Sequence, residues 1–270
     1  MKIGFIGLGN MATAMIGGML QKGIAAPEDI IGSARTETTV EKVKTKFNIN
    51  TTTDNTAVAE QADILFLAVK PIFFPEVIAE IKDAVKADTL IVSIAAGRNL
   101  QYLKDAFGRP ELKLIRCMPN TPALVLEGAT GMCFNELMQD EEKQMAINLF
   151  ESFGIVEVVS ENMIDTVIGV SGSSPAYVFM FIEAMADEAV AAGMPRKQAY
   201  EFASQSVLGS ARMVLETGKH PGELKDAVCS PGGSTIQGVR TLEEGGMRGV
   251  VFDAVIAAYE KTLDLKKASE

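Results

Sequence analysis

A glycine-rich segment near the N-terminus has the spacing of a dinucleotide-binding turn. Gly7, Gly9 and Ala12 form a Gly-x-Gly-x-x-Ala pattern between an apolar run and an amphipathic one. The first glycine permits a tight turn, the second lets the backbone approach a pyrophosphate, and the alanine keeps the next helix near the sheet. A purely structural turn would use the same residues, but this context favours a dinucleotide. The predicted contacts are Gly7, Leu8, Gly9, Asn10, Met11 and Ala12.

The turn after the second predicted strand indicates which dinucleotide is preferred. Sites selective for NAD usually place Asp or Glu there, because a carboxylate accepts hydrogen bonds from the ribose hydroxyls. Here the turn is Ser33-Ala34-Arg35-Thr36, without a carboxylate. The Ser33 hydroxyl and the Arg35 guanidinium suit a 2′-phosphate, which predicts NADPH as the preferred cofactor, with NADH also usable. The alternative is that Arg35 is only a solvated surface charge.

Three more loops are expected at the same edge of the sheet, since ligands of open α/β sheets bind outside the carboxyl ends of the strands. These loops contain small residues and prolines, which give the rigid, close backbone that a flat nicotinamide ring requires. Asn55 begins the helix before the third predicted strand and is either an N-cap or a contact for the adenosine ribose. The cofactor residues predicted in the three loops are Ala68, Val69, Lys70, Pro71, Ala95, Ala96, Gly97 and Asn120.

A loop near the C-terminus could hold a second ligand. Ser230-Pro231-Gly232-Gly233-Ser234-Thr235 joins two predicted helices. Its glycines let backbone N–H groups converge at the start of the next helix, where the helix dipole favours an anion such as a small carboxylate. The alternative is that Ser234 or Thr235 simply caps that helix.

Two periodicities define the elements that position these loops. Up to about residue 160, short apolar runs alternate with amphipathic stretches, which predicts a parallel sheet with crossover helices. Beyond that point only helical signals remain. We therefore predict an α/β fold with a Rossmann-type dinucleotide-binding domain at 1–160 and an all-α dimerisation and substrate-binding domain at 161–270. The predicted strands are Lys2–Ile6, Asp29–Ser33, Ile64–Val69, Leu90–Ala95, Lys113–Cys117, Gly128–Phe134 and Ile155–Val159.

Composition narrows the class of protein. The chain has 270 residues, 47% apolar and 22% charged, as in ordinary soluble globular proteins. Its formal net charge of −10 repels phosphate backbones and anionic lipids, so we expect neither nucleic acid nor a membrane as partner. No apolar run approaches the ~18 residues that span a bilayer. The widely spaced Cys117, Cys133 and Cys229 predict reduced thiols in the cytoplasm and no metal site.

One predicted helix indicates self-association. Residues 175–192 are apolar around nearly the whole helix, apart from a narrow stripe at Glu183, Asp187 and Glu188. A helix that is apolar all round must be buried on several sides, which so short a domain achieves only with difficulty. We expect a homodimer through the C-terminal helices. A central helix in a monomeric bundle is the alternative.

Together, these motifs closely resemble those of pyrroline-5-carboxylate reductases, colinearly over nearly the whole chain. One departure is Ser174, where members more often have glycine. The resemblance implies NAD(P)H-dependent reduction of L-1-pyrroline-5-carboxylate to L-proline, the last step of proline biosynthesis, by hydride transfer to a cyclic imine. The matching segments are 7–12, Met118-Pro119-Asn120-Thr121-Pro122, 170–177, and the 230–235 loop with the preceding His220-Pro221-Gly222.

The resemblance also implies residue roles. Thr235 would bind the substrate near its nitrogen as the catalytic residue, while Ser230, Gly233 and Ser234 would bind the substrate carboxylate. The family's helical domain dimerises by interlocking, and its members differ in cofactor preference and in assembly, so a ring of dimers is compatible with it. Reducing an iminium requires neither a metal nor a covalent nucleophile. His220, the sole histidine, precedes Pro221 at a helix entry, which is more typical of a structural role.

Two other interpretations stay open from sequence. A 3-hydroxyacid dehydrogenase of the 6-phosphogluconate dehydrogenase-like class joins similar domains, but it carries its catalytic lysine on a Gly-x-x-x-Lys helix. Here no lysine follows Gly172 until Lys197. A non-catalytic NADP-sensing protein would keep the nucleotide fold, but the intact 230–235 loop argues against it.

Overall fold

The computed structural model describes residues 1–267, so the last three residues of the predicted helical domain lie outside the described part. The strands are β1 (Ile3–Ile6), β2 (Ile30–Ser33), β3 (Asn50–Thr52), β4 (Ile64–Leu67), β5 (Leu90–Ser93), β6 (Lys113–Met118), β7 (Gly128–Phe134) and β8 (Gly154–Val158). The α-helices are α1 (Asn10–Gln21), α2 (Glu37–Phe47), α3 (Asn55–Gln61), α4 (Phe74–Ile81), α5 (Leu100–Phe107), α6 (Asp140–Glu151), α7 (Glu161–Val167), α8 (Ser174–Ala191), α9 (Arg196–Thr217), α10 (Pro221–Val228), α11 (Ser234–Glu244) and α12 (Met247–Lys267).

All the strands belong to one sheet, in the order β3-β2-β1-β4-β5-β6-β7-β8. Neighbouring strands are parallel, except that β6 and β7 are antiparallel. The strand order reverses at β1, because β2 pairs with one of its edges and β4 with the other. In an open α/β sheet the ligand site lies beyond the carboxyl ends at such a point. The glycine-rich turn follows β1 there.

The predicted α/β class is confirmed, and two details of the sheet differ from expectation. β3 was not predicted because Asn50-Thr51-Thr52 is a short, polar strand at the sheet edge and has no apolar run. The β6–β7 pair breaks the parallel pattern. A short 3₁₀ turn at Thr121–Val125 joins these strands, whereas a parallel pair needs a longer crossover.

Buried aromatic side chains hold the sheet rigid. β1 and β4 are buried along their whole length, as parallel strands covered on both faces must be. The rings of Phe5 and Phe66 stack with their centroids 4.5 Å apart. Phe150 lies 5.8 Å from Phe66 and 5.1 Å from Phe153, centroid to centroid. This core fixes the carboxyl ends of the central strands, which carry the predicted cofactor loops.

The chain divides into two compact units. The first, the α/β unit, comprises Met1–Ser173 and the described residues from Ala257 to Lys267, and the second, the helical unit, comprises Ser174–Ile256. α7 belongs to the α/β unit, where it contacts β6 and β7 and forms an ion pair with β6. The guanidinium of Arg116 lies 2.6 Å from the carboxylate of Asp165, and both side chains are almost fully buried. The compact units therefore divide later in the chain than the predicted boundary between residues 160 and 161.

The helical unit buries few large apolar side chains. Its cluster of buried apolar residues consists of Ala186, Ala199 and Ala203. Many larger side chains are exposed along α8, α9 and α12, among them Phe179, Met180, Phe202, Leu215 and Phe252.

By length and composition alone, the helical stretch Glu161–Ala191 could cross a membrane, and 11% of its most apolar window is buried within the chain. The expectation that no segment reaches this length is therefore wrong. The stretch stays helical through a π-turn at Ile168–Gly172, where the N–H of Ser173 donates to the carbonyl of Ile168 at 2.9 Å. Helices that soluble proteins bury against other helices have the same length and composition.

Candidate functional site

The first glycine of the turn is required by both conformation and space. Gly7 has a φ of +97°, in the region that favours glycine. Its N–H donates to the carbonyl of Ser33 at 3.0 Å. A Cβ at this position would lie 2.8 Å from the carbonyl oxygen of Ala68. Gly7 therefore allows β1, β2 and the end of β4 to converge.

The second glycine leaves the start of α1 open. Gly9 is the N-cap of α1 and no side chain caps this helix, so the first-turn N–H groups remain available to an anion. A Cβ at Gly9 would meet nothing within 4 Å. The adjacent space is thus a cradle that a side chain would fill. Ala12 is buried against the core, as its predicted role in helix–sheet packing requires.

A cavity of about 840 Å³ opens beside this turn. The predicted cofactor residues that line it are Gly7, Leu8, Gly9, Asn10, Ser33, Arg35, Asn55, Ala68, Val69 and Lys70. The others, all within the described part of the chain, lie outside its lining: Met11, Ala12, Pro71, Ala95, Ala96, Gly97 and Asn120. The structure thus brings together the residues of the glycine turn, the β2 turn and the loop after β4.

Four charged residues of the cavity were missed by the sequence analysis. Lys42 and Lys46 come from α2, and Glu76 and Glu80 from α4. On each helix the pair is separated by four residues, which places both side chains on one helix face. That spacing was the only sign in the sequence that these residues act together. It could not show that either helix face lines the cavity, because that depends on how the helices pack against the sheet.

Arg35 lies at the cavity and stacks on an aromatic ring. Its guanidinium carbon is 4.4 Å from the centroid of the Phe73 ring, and both residues line the cavity. Stacking occupies the face of the guanidinium and leaves its N–H groups, which lie in the plane, free to bind an anion. The geometry favours the predicted anion contact over an isolated surface charge.

Ser33 and Asn55 form a hydrogen-bonded chain with Glu80. The buried Ser33 hydroxyl donates to Asn55 Oδ1 at 2.7 Å, and Asn55 Nδ2 donates to Glu80 Oε2 at 2.8 Å. The hydroxyl proton of Ser33 is therefore directed to Asn55 and not to the cavity. The N-cap of α3 is Asp54, which accepts from the N–H groups of Thr56 and Ala57. The capping alternative for Asn55 is wrong.

Asn120 connects two parts of the α/β unit. Its Oδ1 accepts from the N–H of Ala129 at 2.8 Å, and its Nδ2 donates to the carbonyl of Ser171 at 3.0 Å. The side chain is buried. In this arrangement Asn120 holds the start of β7 against the π-turn, so its observed contacts are structural.

The 230–235 loop of the helical unit is built around two glycines. Gly232 has a φ of +72°, and Gly233 is the N-cap of α11. Because α11 begins at Ser234, the capping alternative for Ser234 and Thr235 is wrong. A Cβ at Gly233 would lie 2.4 Å from Ser230 Oγ. The hydroxyls of Ser230, Ser234 and Thr235 are exposed and have no hydrogen-bond partner within the described residues.

Other chemical groups have structural roles. His220 caps α10, its Nδ1 accepting from the N–H of Gly222 at 3.0 Å, which confirms the predicted structural role. Burial raises the pKa of Cys133 to about 12, and burial likewise raises the pKa of Cys117 well above its ordinary value. Neither is a thiolate at neutral pH. Within the described residues, no group of three His, Cys, Asp or Glu side chains is placed to hold a metal ion.

The sheet, the glycine turn at its reversal point and the partly basic cavity define a Rossmann-type dinucleotide-dependent oxidoreductase. Residues 2–97 match the family described as "NADP oxidoreductase coenzyme F420-dependent". Residues 161–265 match the family described as "Pyrroline-5-carboxylate reductase dimerisation".

Similar proteins identify the family. The chain is 52% identical to a pyrroline-5-carboxylate reductase of Escherichia coli, over 99% of both chains. Its structure is similar to that of a pyrroline-5-carboxylate reductase from Coxiella burnetii, with a TM-score of 0.89, 36% identity and 98% of each chain covered. For the Plasmodium falciparum pyrroline carboxylate reductase with NADP bound, the TM-score is 0.88, with 33% identity and 98% of each chain covered. The chain belongs to the pyrroline-5-carboxylate reductase family. The dehydrogenase and sensor alternatives are therefore set aside.

Proposed function

We propose that this protein reduces L-1-pyrroline-5-carboxylate to L-proline with NADPH, as the last step of proline biosynthesis, and that it also accepts NADH. The observation that carries the proposal is the 230–235 loop. It presents three hydroxyls that have no partner among the described residues, at the uncapped start of α11, in a chain whose α/β unit has a dinucleotide cavity. When bound, the cofactor supplies the hydride that reduces the C=N bond.

The residues of the cavity fit a dinucleotide. The open space at Gly9 admits a pyrophosphate, which the uncapped N–H groups at the start of α1 would bind. Arg35 supplies positive charge in the turn after β2, where an adenosine 2′-phosphate is expected, and Lys42 and Lys46 of α2 line the same cavity. Lys70, after β4, extends the positive charge along the cavity. These features support NADPH as the preferred cofactor.

The loop residues fit the substrate carboxylate. A carboxylate has only acceptors, so it is best bound by N–H and O–H donors. The N–H groups at the start of α11 and the hydroxyls of Ser230 and Ser234 provide such donors, and the helix dipole adds attraction. The N–H of Gly233 donates to the carbonyl of Ser230 at 3.0 Å. This hydrogen bond holds the start of the loop close to the N-cap of α11.

Thr235 is proposed as the residue that contacts the reacting nitrogen. Its hydroxyl is exposed in the first turn of α11. A hydroxyl can accept from the iminium N–H and donate to the product amine, so it serves both sides of the reaction without changing charge. No ionisable side chain of the loop is needed for this role.

We further propose that the protein is a homodimer formed through its helical unit. The match of 161–265 to a dimerisation family and the exposed apolar side chains of α8, α9 and α12 support this assembly. A monomeric bundle would leave these side chains in water, which is the unfavourable state for large apolar groups. The free cysteines are compatible with a reducing cytoplasm, where we place the protein.

The direct test is a spectrophotometric assay of cofactor oxidation with pyrroline-5-carboxylate, run separately with NADPH and NADH. We expect turnover with both, a higher kcat/KM with NADPH, and L-proline as the product. No turnover with either cofactor, in a chain that still binds NADPH, would overturn the proposed reaction and favour a sensor.

A further inference from the structure

The end of the cavity next to β2, lined by Ser33, Arg35 and Asn55, is called the adenosine end below. The cavity as a whole carries charges of both signs. In its lining, the basic residues Arg35, Lys42 and Lys46 are called the basic wall and the acidic residues Glu76 and Glu80 the acidic wall. None of these side chains makes an ion pair with another within the described residues. Both walls are therefore available to a ligand.

The Glu80 carboxylate is the better oriented of the two. Asn55 Nδ2 donates to its Oε2 at 2.8 Å. Asn55 is itself fixed, because its Oδ1 accepts from the buried Ser33 hydroxyl at 2.7 Å. The chain Ser33–Asn55–Glu80 thus runs from the end of β2 to α4. It brings a carboxylate toward the place where NAD-selective sites carry one on β2 itself.

We propose that Glu80 is a specificity-determining residue, which accepts from the adenosine ribose hydroxyls and lowers the preference for NADPH over NADH. This inference rests on the proposed use of a nicotinamide dinucleotide. A ribose 2′-hydroxyl can donate to a carboxylate. A 2′-phosphate has only acceptors and negative charge, so it is repelled by the carboxylate and attracted to the basic wall. The preference for NADPH or NADH therefore depends on two opposing interactions, the hydrogen bond from the ribose hydroxyl to Glu80 and the attraction of the 2′-phosphate to the basic wall.

This balance predicts opposite changes in the affinities for the two cofactors. Replacing Glu80 by Gln removes the repulsion from the 2′-phosphate and weakens the acceptor for the ribose hydroxyls. A residue with only a structural role would change both affinities in the same direction. The ratio of the two dissociation constants is therefore the informative quantity.

The experiment measures the binding of NADPH and of NADH to the full-length protein by calorimetry, without substrate. The variants are Glu80→Gln and Glu80→Ala, and the matched control is Glu60→Gln, an exposed glutamate on α3 that does not line the cavity. We expect both Glu80 variants to lower Kd for NADPH and raise Kd for NADH, each about threefold, so that the ratio changes by roughly tenfold. Glu60→Gln should leave the ratio unchanged.

The two proposals fail in distinguishable ways. An unchanged ratio, or a parallel change in both constants, with intact binding by the unmodified protein would overturn the role of Glu80 alone. A change of equal size in Glu60→Gln would also overturn it, because the effect would then come from net charge. Failure of the unmodified protein to bind either cofactor would overturn the proposed function and this inference with it.

Discussion

The α/β unit and the helical unit bury their apolar side chains to very different extents. The α/β unit contains two extensive buried clusters, one on each side of its sheet, with stacked aromatic rings in one of them. The helical unit buries only three alanines in its cluster and exposes side chains as large as Phe179 and Phe252. The first unit supplies its own core. The second has the surface of a protein that completes its core with another chain.

The largest expected effect is on the surface of the helical unit. Phe179→Glu should prevent dimer formation, because an unpaired carboxylate buried in an apolar interface costs roughly 3–5 kcal/mol in each subunit. Light scattering should then detect a monomer with little activity. The matched control, Ile24→Glu, places the same charge at an exposed apolar position of the α/β unit and should leave the dimer intact. An active Phe179→Glu dimer would show that the exposed apolar surface of the helical unit is not completed by another chain.

The second prediction concerns the interior of the α/β unit. Asp165→Ala leaves the guanidinium of Arg116, which is 1% exposed, without its closest partner. Loss of one partner from a buried pair costs about 3–5 kcal/mol, which urea unfolding of the protein should detect. Asp140→Ala removes the acid of the exposed pair with Lys143 and should have no measurable effect. Equal unfolding midpoints for the two variants would show that the buried pair is not needed for stability.

The third prediction separates chemistry from stability in the helical unit. Thr235→Ala deletes one hydrogen bond near the nitrogen, worth about 1.5–3 kcal/mol, and should lower kcat ten- to hundredfold. Thr235→Ser should retain most activity. NADPH affinity and the dimer should be unchanged, since the cofactor cavity belongs to the α/β unit. Full activity with a lowered Tm would instead indicate that the hydroxyl only stabilises α11.

The smallest effect is expected at the exposed rim of the cofactor cavity. Arg35→Ala should raise KM for NADPH by roughly tenfold, because one charge-assisted hydrogen bond to the 2′-phosphate is lost in a site open to solvent. KM for NADH should change little. Equal increases for both cofactors in steady-state assays would show that Arg35 does not contact the phosphate.

Elements determined by local pattern were predictable from the sequence. Ile64–Leu67 is an uninterrupted apolar run, and Gly7 and Gly9 stand between an apolar run and an amphipathic one, as in a dinucleotide-binding turn. The later division into compact units was not predictable, because it depends on contacts of α7 with β6 and β7, which are distant from α7 in the sequence. The lining of the cofactor cavity was likewise not predictable from the sequence. Neither the helix face that carries Lys42 nor the hydrogen bond from Asn55 to Glu80 follows from local periodicity.

The two glycines of the 230–235 loop should respond differently to second mutations that restore the stability of the loop. Gly232 is needed for its backbone torsion of +72°, so no change elsewhere in the loop relieves a side chain placed there. Gly233 has an extended backbone with a φ of −75°, and a Cβ there would be limited only by space, because it would lie 2.4 Å from Ser230 Oγ. The loss of loop stability in Gly233→Ala should therefore be partly relieved by a second mutation, Ser230→Ala, which removes the nearby atom, although it also removes a proposed donor to the substrate carboxylate. Although the two glycines are adjacent, they differ in whether a second substitution in the loop can restore its stability.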